Sequence, residues 1–269
     1  GSEIAANRFG MGARPGELAS ITPNPKAWLK AQLKPVSLDM SLPTSGDVFQ
    51  QLADYRSAKK AFKQNASTSE MLQKPSGRFK RDVFRKLSAD TLRQAILSEH
   101  SISWRLFDFF SNHFSVTASG STMSALAPTL EREAIAPNLL GKFEDMLLAV
   151  SKHPAMLIYL NNEKSFGPNS KLGKKRNKGL NENLAREILE LHTLGVNGGY
   201  SQTDVTELAK AITGWSLANY KKDKTYGFKF RSWGHEPGTR EVLSKRYSEK
   251  GIKQGEQILI DLANHPSTA

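Results

Sequence analysis

The sequence predicts an all-α fold, a multi-helix globular domain carrying one small β-hairpin near residues 226–243. Three observations predict it. Apolar residues recur at i, i+3, i+4 and i+7 along most of the 269 positions, the pattern of helices with one buried face. Strict alternation occurs once, where Tyr226, Phe228 and Phe230 are separated by Gly227 and Lys229. Start and stop residues such as Pro154, Ser201 and Gly214 bracket the periodic runs.

Residues 24–33 form the first helix by this pattern, with Trp28, Leu29 and Leu33 on one side. Pro35, Pro43 and Gly46 then break the chain into a loop that enters a helix from about Asp47. The polar stretch 64–80 has weak periodicity and reads as a mobile loop or a helix break. Residues 88–114 read as a long amphipathic helix capped by Ser88, with Leu92, Ile96, Leu97, Trp104, Phe107 and Phe114 among its apolar residues. In 129–152, Phe143, Met146, Leu147 and Val150 repeat the helical spacing, and Pro154 opens the next helix. The clearest pair is 181–194 and 202–213. In the second, Ser201 and Asp204 form a capping box, Val205, Leu208, Ala209 and Ile212 make the buried stripe, and Gly214 stops the helix. Helix resumes at about 251–263.

LLAVSKHPAM (147–156) and LIDLANHPST (259–268) align on His-Pro, 112 positions apart. They suggest a duplicated helix–HisPro–helix unit. The second copy ends where the first begins its next helix. Residues 1–269 therefore read as one mostly helical domain, the N-terminal part of a longer chain. Gly1-Ser2 reads as the scar of a cleaved tag.

The 38 Lys and Arg outnumber 26 Asp and Glu, a net +12, and the pI is about 9.8. There is no cysteine, which excludes disulfide scaffolds, cysteine-ligated metal and thiol nucleophiles. No stretch approaches 18 uninterrupted apolar residues, so no transmembrane segment is expected. The densest basic run, Lys171, Lys174, Lys175, Arg176 and Lys178, has no aromatic between Phe166 and Tyr200. That argues against nucleic acid and for a solvated loop able to meet an anionic envelope polymer or lipid headgroup.

The run GLNENLAREILELHTLGVNGGYSQTDVTELAKAITGWSL (179–217) closely resembles the signature of the bacterial domain-of-unknown-function 1800 family. NRFGMGARPGEL (7–18), NHFSV (112–116), GKFEDMLLAVSKHPAMLIYLNN (141–162), GPNS (167–170) and GHEPGTREVL extend the resemblance over almost the whole chain. The resemblance implies a mostly helical protein, periplasmic or secreted, with a further helical portion beyond this one. It also implies a possible partner, a secreted alkaline-phosphatase-like protein encoded nearby. Three places depart from the family pattern: Ala136-Pro137-Asn138, Leu160-Asn161-Asn162 and Asn197. They replace two carboxylates and an imidazole, which weakens an inherited metal site.

At 100° per residue, Leu184, Ala185, Ile188, Leu191 and His192 fall within an arc of about 120°. His192 therefore belongs to the apolar face. Glu182, Arg186 and Glu190 form a solvated ladder opposite. Glu187 lies at the boundary, about 140° from His192, so the two are no preformed metal pair. A buried His192 must find partners or lose its charge, and bonding to a helix end or to the NGGY turn is the expectation. His153 and His265 precede proline at helix starts and read as caps. His113 follows an aromatic run, and His235-Glu236 occupies a glycine-flanked turn. These residues allow a divalent-metal site from His113, His192 and His235 with Glu187 or Glu236. There is no GxSxG for a serine hydrolase. Gly198, Gly199, Tyr200 and Ser201 feed a helix N-terminus that could hold an anion. Two functions follow: an envelope-associated binding or structural protein, or an extracytoplasmic metal-assisted hydrolase using His192, His235, Glu187 or Glu236.

Overall fold

A computed structural model describes residues 1–64, 74–120, 122–176 and 179–268. Helix dominates, and among the described residues strand is confined to two antiparallel two-stranded ribbons. At the N-terminus α1 (Ser2–Ile4) runs into a π-helical turn, Ala5–Phe9. With α2 (Glu17–Ile21) and α3 (Pro25–Ala31) it encloses a small apolar cluster of Ala5, Ala6 and Ile21, against which Trp28 and Leu29 pack. Asn24 caps α3 by accepting from the Ala27 amide, with Pro25 in the first turn.

α4 (Ser45–Gln64) and α5 (Phe79–Leu97) form a helical hairpin whose connection, where a loop or helix break is expected, lies mostly outside the described residues. α6 (Ser101–His113) follows. The expected single helix over 88–114 is thus two. Ser88 is no cap, because α5 has already started at Phe79, and Ser98 turns the chain extended at φ −66°, ψ 140°. The break is stabilised from far away: the Arg14 guanidinium donates to the carbonyls of Ile96 and Ser98. That satisfies the orphan acceptors at the helix end.

α7 (Met123–Leu130) continues through a π turn, Glu131–Ile135, and a 3₁₀ turn, Ala136–Asn138. Then come α8 (Phe143–Lys152), α9 (Pro154–Tyr159) and α10 (Lys171–Arg176). The basic run is therefore a short helix where a loop is expected, with Asn177 and Lys178 outside the described residues. α11 (Asn183–Glu187) passes into a third π turn, Ile188–His192, and α12 (Gln202–Ala211) packs beside it. β1 (Trp215–Leu217) pairs with β2 (Phe228–Phe230) across α13 (Tyr220–Asp223), and β3 (Arg240–Val242) with β4 (Lys245–Tyr247). Two ribbons stand where one hairpin is expected at 226–243, because the strand facing Phe228 and Phe230 is supplied from upstream, by Trp215 and Leu217. α14 (Ile252–Ala263) closes the core against α8 and α12.

One core joins these elements, with Leu126, Leu147, Leu157, Ile188, Leu208 and Trp215 all fully buried. Each such side chain contributes roughly 1.5–3 kcal/mol. The two HisPro segments lie on packed neighbours, α8 and α14. Leu147 and Val150 match Leu259 and Leu262, all buried. Each imidazole also caps the following turn: Nδ1 of His153 accepts from the Ala155 amide and Nδ1 of His265 from the Ser267 amide, both at 3.1 Å. No helix among the described residues is long and apolar enough to cross a membrane.

Candidate functional site

Among the described residues the three π turns all meet α6, and α6 brings together two of the polar residues singled out from sequence, His113 and His192. At its C-terminal end sits His113, surrounded by Phe109, Phe110, Phe114 and Phe143 at ring separations of 4.6–6.4 Å. Its Nε2 lies 3.1 Å from the carbonyl oxygen of His192. A carbonyl only accepts, so the proton is on Nε2 of His113. The His192 ring is 6.0 Å from that of His113 and 5.0 Å from Phe114.

His192 is buried as the helical periodicity predicts, but in a different register. Leu189 is fully buried and Leu191 is 54% exposed, because the wider i→i+5 winding advances fewer degrees per residue than an α-helix. No partner reaches Nδ1 of His192. Burial, reinforced by His113, pushes its pKa down to about 3, so the imidazole is neutral at physiological pH. The expected bond to a helix end or the NGGY turn is replaced by aromatic packing.

Glu187 opens elsewhere, on a cleft of about 310 Å³ with Asn183, Arg186 and Glu190. Burial and the neighbouring Glu190 push its carboxyl up. Of the expected ladder the Arg186–Glu182 rung is formed, at 3.3 Å.

His235 and Glu236 belong to a third place, where loop 234–238 interlocks with loop 165–170. Gly167 donates its amide to Gly234 at 2.9 Å, and the Phe166 and Trp233 rings stack 6.1 Å apart. The Glu236 carboxylate is buried and accepts from the Asn169 amide at 2.8 Å and from Asn169 Nδ2 at 2.6 Å. Its own amide donates to Thr213 Oγ1 at 2.8 Å, and Nδ1 of His235 donates to the Thr213 carbonyl at 3.0 Å. Burial lowers the His235 pKa. Both oxygens of this carboxylate are thus engaged in fastening one loop to the other.

Gly167 is obligatory here, since a Cβ on it would sit 2.4–2.6 Å from Glu236 atoms. Gly167→Ala is expected to pry the loops apart and cost about 1–3 kcal/mol in urea unfolding. Gly179→Ala, where a Cβ meets nothing within 4 Å, should cost nothing comparable. Equal effects would remove the interlock argument.

His113, His192 and His235 do not assemble a metal centre. Among the described residues no three His, Asp or Glu side chains are arranged to hold an ion. His113 and His192 meet through a backbone carbonyl and ring faces, and Glu187 and Glu236 point to other neighbours. The anion site at Gly198, Gly199, Tyr200 and Ser201 meets a different obstacle. The capping box forms, with Asp204 Oδ2 accepting from the Ser201 amide and Oγ at 2.7 Å. The helix N-terminus is already filled by the chain's own carboxylate, which repels a second anion. Gly198 and Gly199 serve the turn: a Cβ on Gly198 would lie 2.3 Å from that of Leu194, Gly199 has φ +84°, and Tyr200 packs on the core.

Two charged features escape the motif reading. The π turn Glu131–Ile135 buries charges. Arg132 Nη1 pairs with Asp90 at 2.8 Å, and Glu133 receives His153 Nε2 at 2.9 Å and the amide and hydroxyl of Ser45. Three charged residues in the apolar stretch 123–139 are the available signal. The second is the α4–α5 hairpin. Residues 54–86 hold ten Lys/Arg against three Asp/Glu, and none of the described residues 53–82 is buried. Summing charge by hairpin instead of by run would have found it.

The chain belongs to the family described as protein of unknown function (DUF1800), which matches residues 4–269. No curated protein and no solved structure matches it.

Proposed function

We propose that the chain is an exported, envelope-associated binding protein whose basic α4–α5 hairpin grips an anionic envelope polymer. The observation that carries this is the charge of residues 54–86, ten bases against three acids, on helix halves where Val83 alone is buried among the described residues. Like charges held close repel one another and cost stability, and the packing gained here is small, Val83 in the core with Phe79 against it. A polyanion relieves that repulsion. Tyr55 lies under the Lys80 ammonium at 4.8 Å and adjoins Lys59 at 5.9 Å, so the cations are arranged around an aromatic platform.

The test is titration with lipopolysaccharide and teichoic acid, with neutral dextran as control, at low and high salt. Binding should weaken steeply with salt. The triple variant Lys59→Gln/Lys60→Gln/Lys63→Gln should bind roughly tenfold more weakly with unchanged folding. Equal binding by the variant, or by dextran, overturns the proposal. Stronger binding to nucleic acid than to either polymer overturns the envelope assignment. Fractionation of cells producing the full-length protein tests export.

A further inference from the structure

The outward face of α5 continues away from the basic hairpin into an apolar surface that the core does not use. At 100° per residue, Arg81, Arg85, Leu92 and Ile96 share a stripe about 60° wide, opposite the buried Val83 and Leu87. Leu92 is 62% exposed, Ile96 66% and Leu97 62%. Such values are ordinary for one stray leucine and unusual for three at one helix end.

The N-terminal segment extends this surface. Arg14 ties it to the end of α5 through the Ile96 and Ser98 carbonyls. Arg105 of α6 ties it at 2.9 Å to the Gly10 carbonyl. On either side of the Gly10 anchor, Phe9 and Met11 stand 52% and 60% exposed, and Phe109 of α6 is 58% exposed beside Met11 along one shallow groove. Six large apolar side chains, each more than half in water, thus lie on this strip and on the two helices to which it is tied.

The surrounding charge is mainly positive. Arg8, Arg81, Arg85 and Arg93 are exposed around these side chains, against the exposed acids Asp82, Glu99 and Asp108. The apolar groups are separate knobs on two helices and a loop. Knobs of this kind enter the fluid boundary between headgroups and acyl chains, while arginines at the same level hold phosphates. We infer that this face, centred on Leu92, Ile96, Leu97, Phe9, Met11 and Phe109, seats the protein on an anionic lipid bilayer. The inference rests on the envelope reading above and names a second contact within it. The hairpin takes the polymer and the α5–α6 end takes the membrane. Neighbouring Arg81 and Arg85 connect the two surfaces along α5.

Flotation of the whole chain with phosphatidylcholine vesicles, and with an equal mixture of phosphatidylcholine and phosphatidylglycerol, tests it. The protein should float with the anionic vesicles alone, less so in high salt. Ile96→Ser/Leu97→Ser should bind about tenfold more weakly while binding lipopolysaccharide or teichoic acid like the parent. Phe9→Ser/Met11→Ser, on the loop side, should act alike, so the outcome does not depend on one variant folding. Failure to float, or equal flotation of both variants and parent, overturns the bilayer assignment. So does a stable dimer in sedimentation that these substitutions dissolve, which would make the face a contact between copies. A parent that binds polymer but no vesicle sinks this inference alone, whereas loss of polymer binding sinks the reading beneath it.

Discussion

Acidification should unfold this protein early, and replacing His192 by Phe should remove much of that sensitivity. The unfolded imidazole titrates at 6.5, and in the fold burial, then His113, push it down to about 3. Above pH 6.5 both states are neutral and His192 contributes no pH dependence. Below it the unfolded chain takes up a proton that the folded chain refuses. Stability therefore falls by about 1.4 kcal/mol per pH unit until the folded pKa is reached. At about pH 4.5 the loss from this one group approaches 3 kcal/mol. His235, also lowered by burial, adds in the same direction. His192→Phe keeps a ring against Phe114 and His113 and deletes an Nδ1 that has no partner. The His113 bond survives because it goes to the backbone carbonyl. Urea midpoints of both proteins at about pH 7 and 4.5 decide the matter. A variant with the full acid loss of the parent would show that His192 is not the group responsible.

The second large effect is at Arg132. Removing its guanidinium should cost about 3–5 kcal/mol, the usual penalty for stranding one partner of a buried ion pair. Arg132 is only 7% exposed and Asp90 10%. Its second nitrogen donates to the Asp39 carbonyl at 2.7 Å, while the Asp39 amide donates to Asp90 at 3.0 Å. One guanidinium thus fastens α5 and the loop before α4 to the π turn. Burial works against the Asp90 charge, but the Asp39 amide and Arg132 outweigh it and hold the carboxyl below its ordinary range. Arg132→Ala leaves that charge with the Asp39 amide and the Gln94 side chain but without its cation. Asp90→Asn in the Arg132→Ala background should recover part of the loss, and a double-mutant cycle by urea unfolding measures how much. Additive costs would mean that the pair is not coupled.

Both sites show where sequence reading holds and where it stops. The Ser201 capping box, the Val205–Ile212 stripe, the Gly214 stop and the burial of His192 are all legible, because each depends on neighbours within a turn or two. The capping roles of His153 and His265 are legible for the same reason. The division between α5 and α6 is not, since Arg14 stabilises it from 82 and 84 positions away. Nor is the exchange of Leu191 for Leu189 in the core, which follows from a π turn that no residue pattern announced. The turn at His235-Glu236 stands out in sequence, but its meaning lies in Asn169, 67 positions upstream. A glycine-flanked His-Glu pair stands out locally, while the Asn169 amide and side chain that bond its carboxylate do not. The site candidates were thus found as residues, and their roles were set by distant partners.

The packing of α8 on α14 also shapes how the chain is made. The buried face of α8, with Leu147 and Val150, faces a helix whose last turn ends at Ala263. A ribosome adds about 5–20 residues per second, so this face waits for several seconds after its own synthesis before its cover emerges. Vectorial folding can complete the N-terminal cluster and the α4–α5 hairpin early, but the central core closes only once α14 has emerged. Such late closure of sequence-distant contacts is slow and leaves greasy surface open to capture. A nascent chain stalled before Ile252 is therefore the species a holdase chaperone would meet.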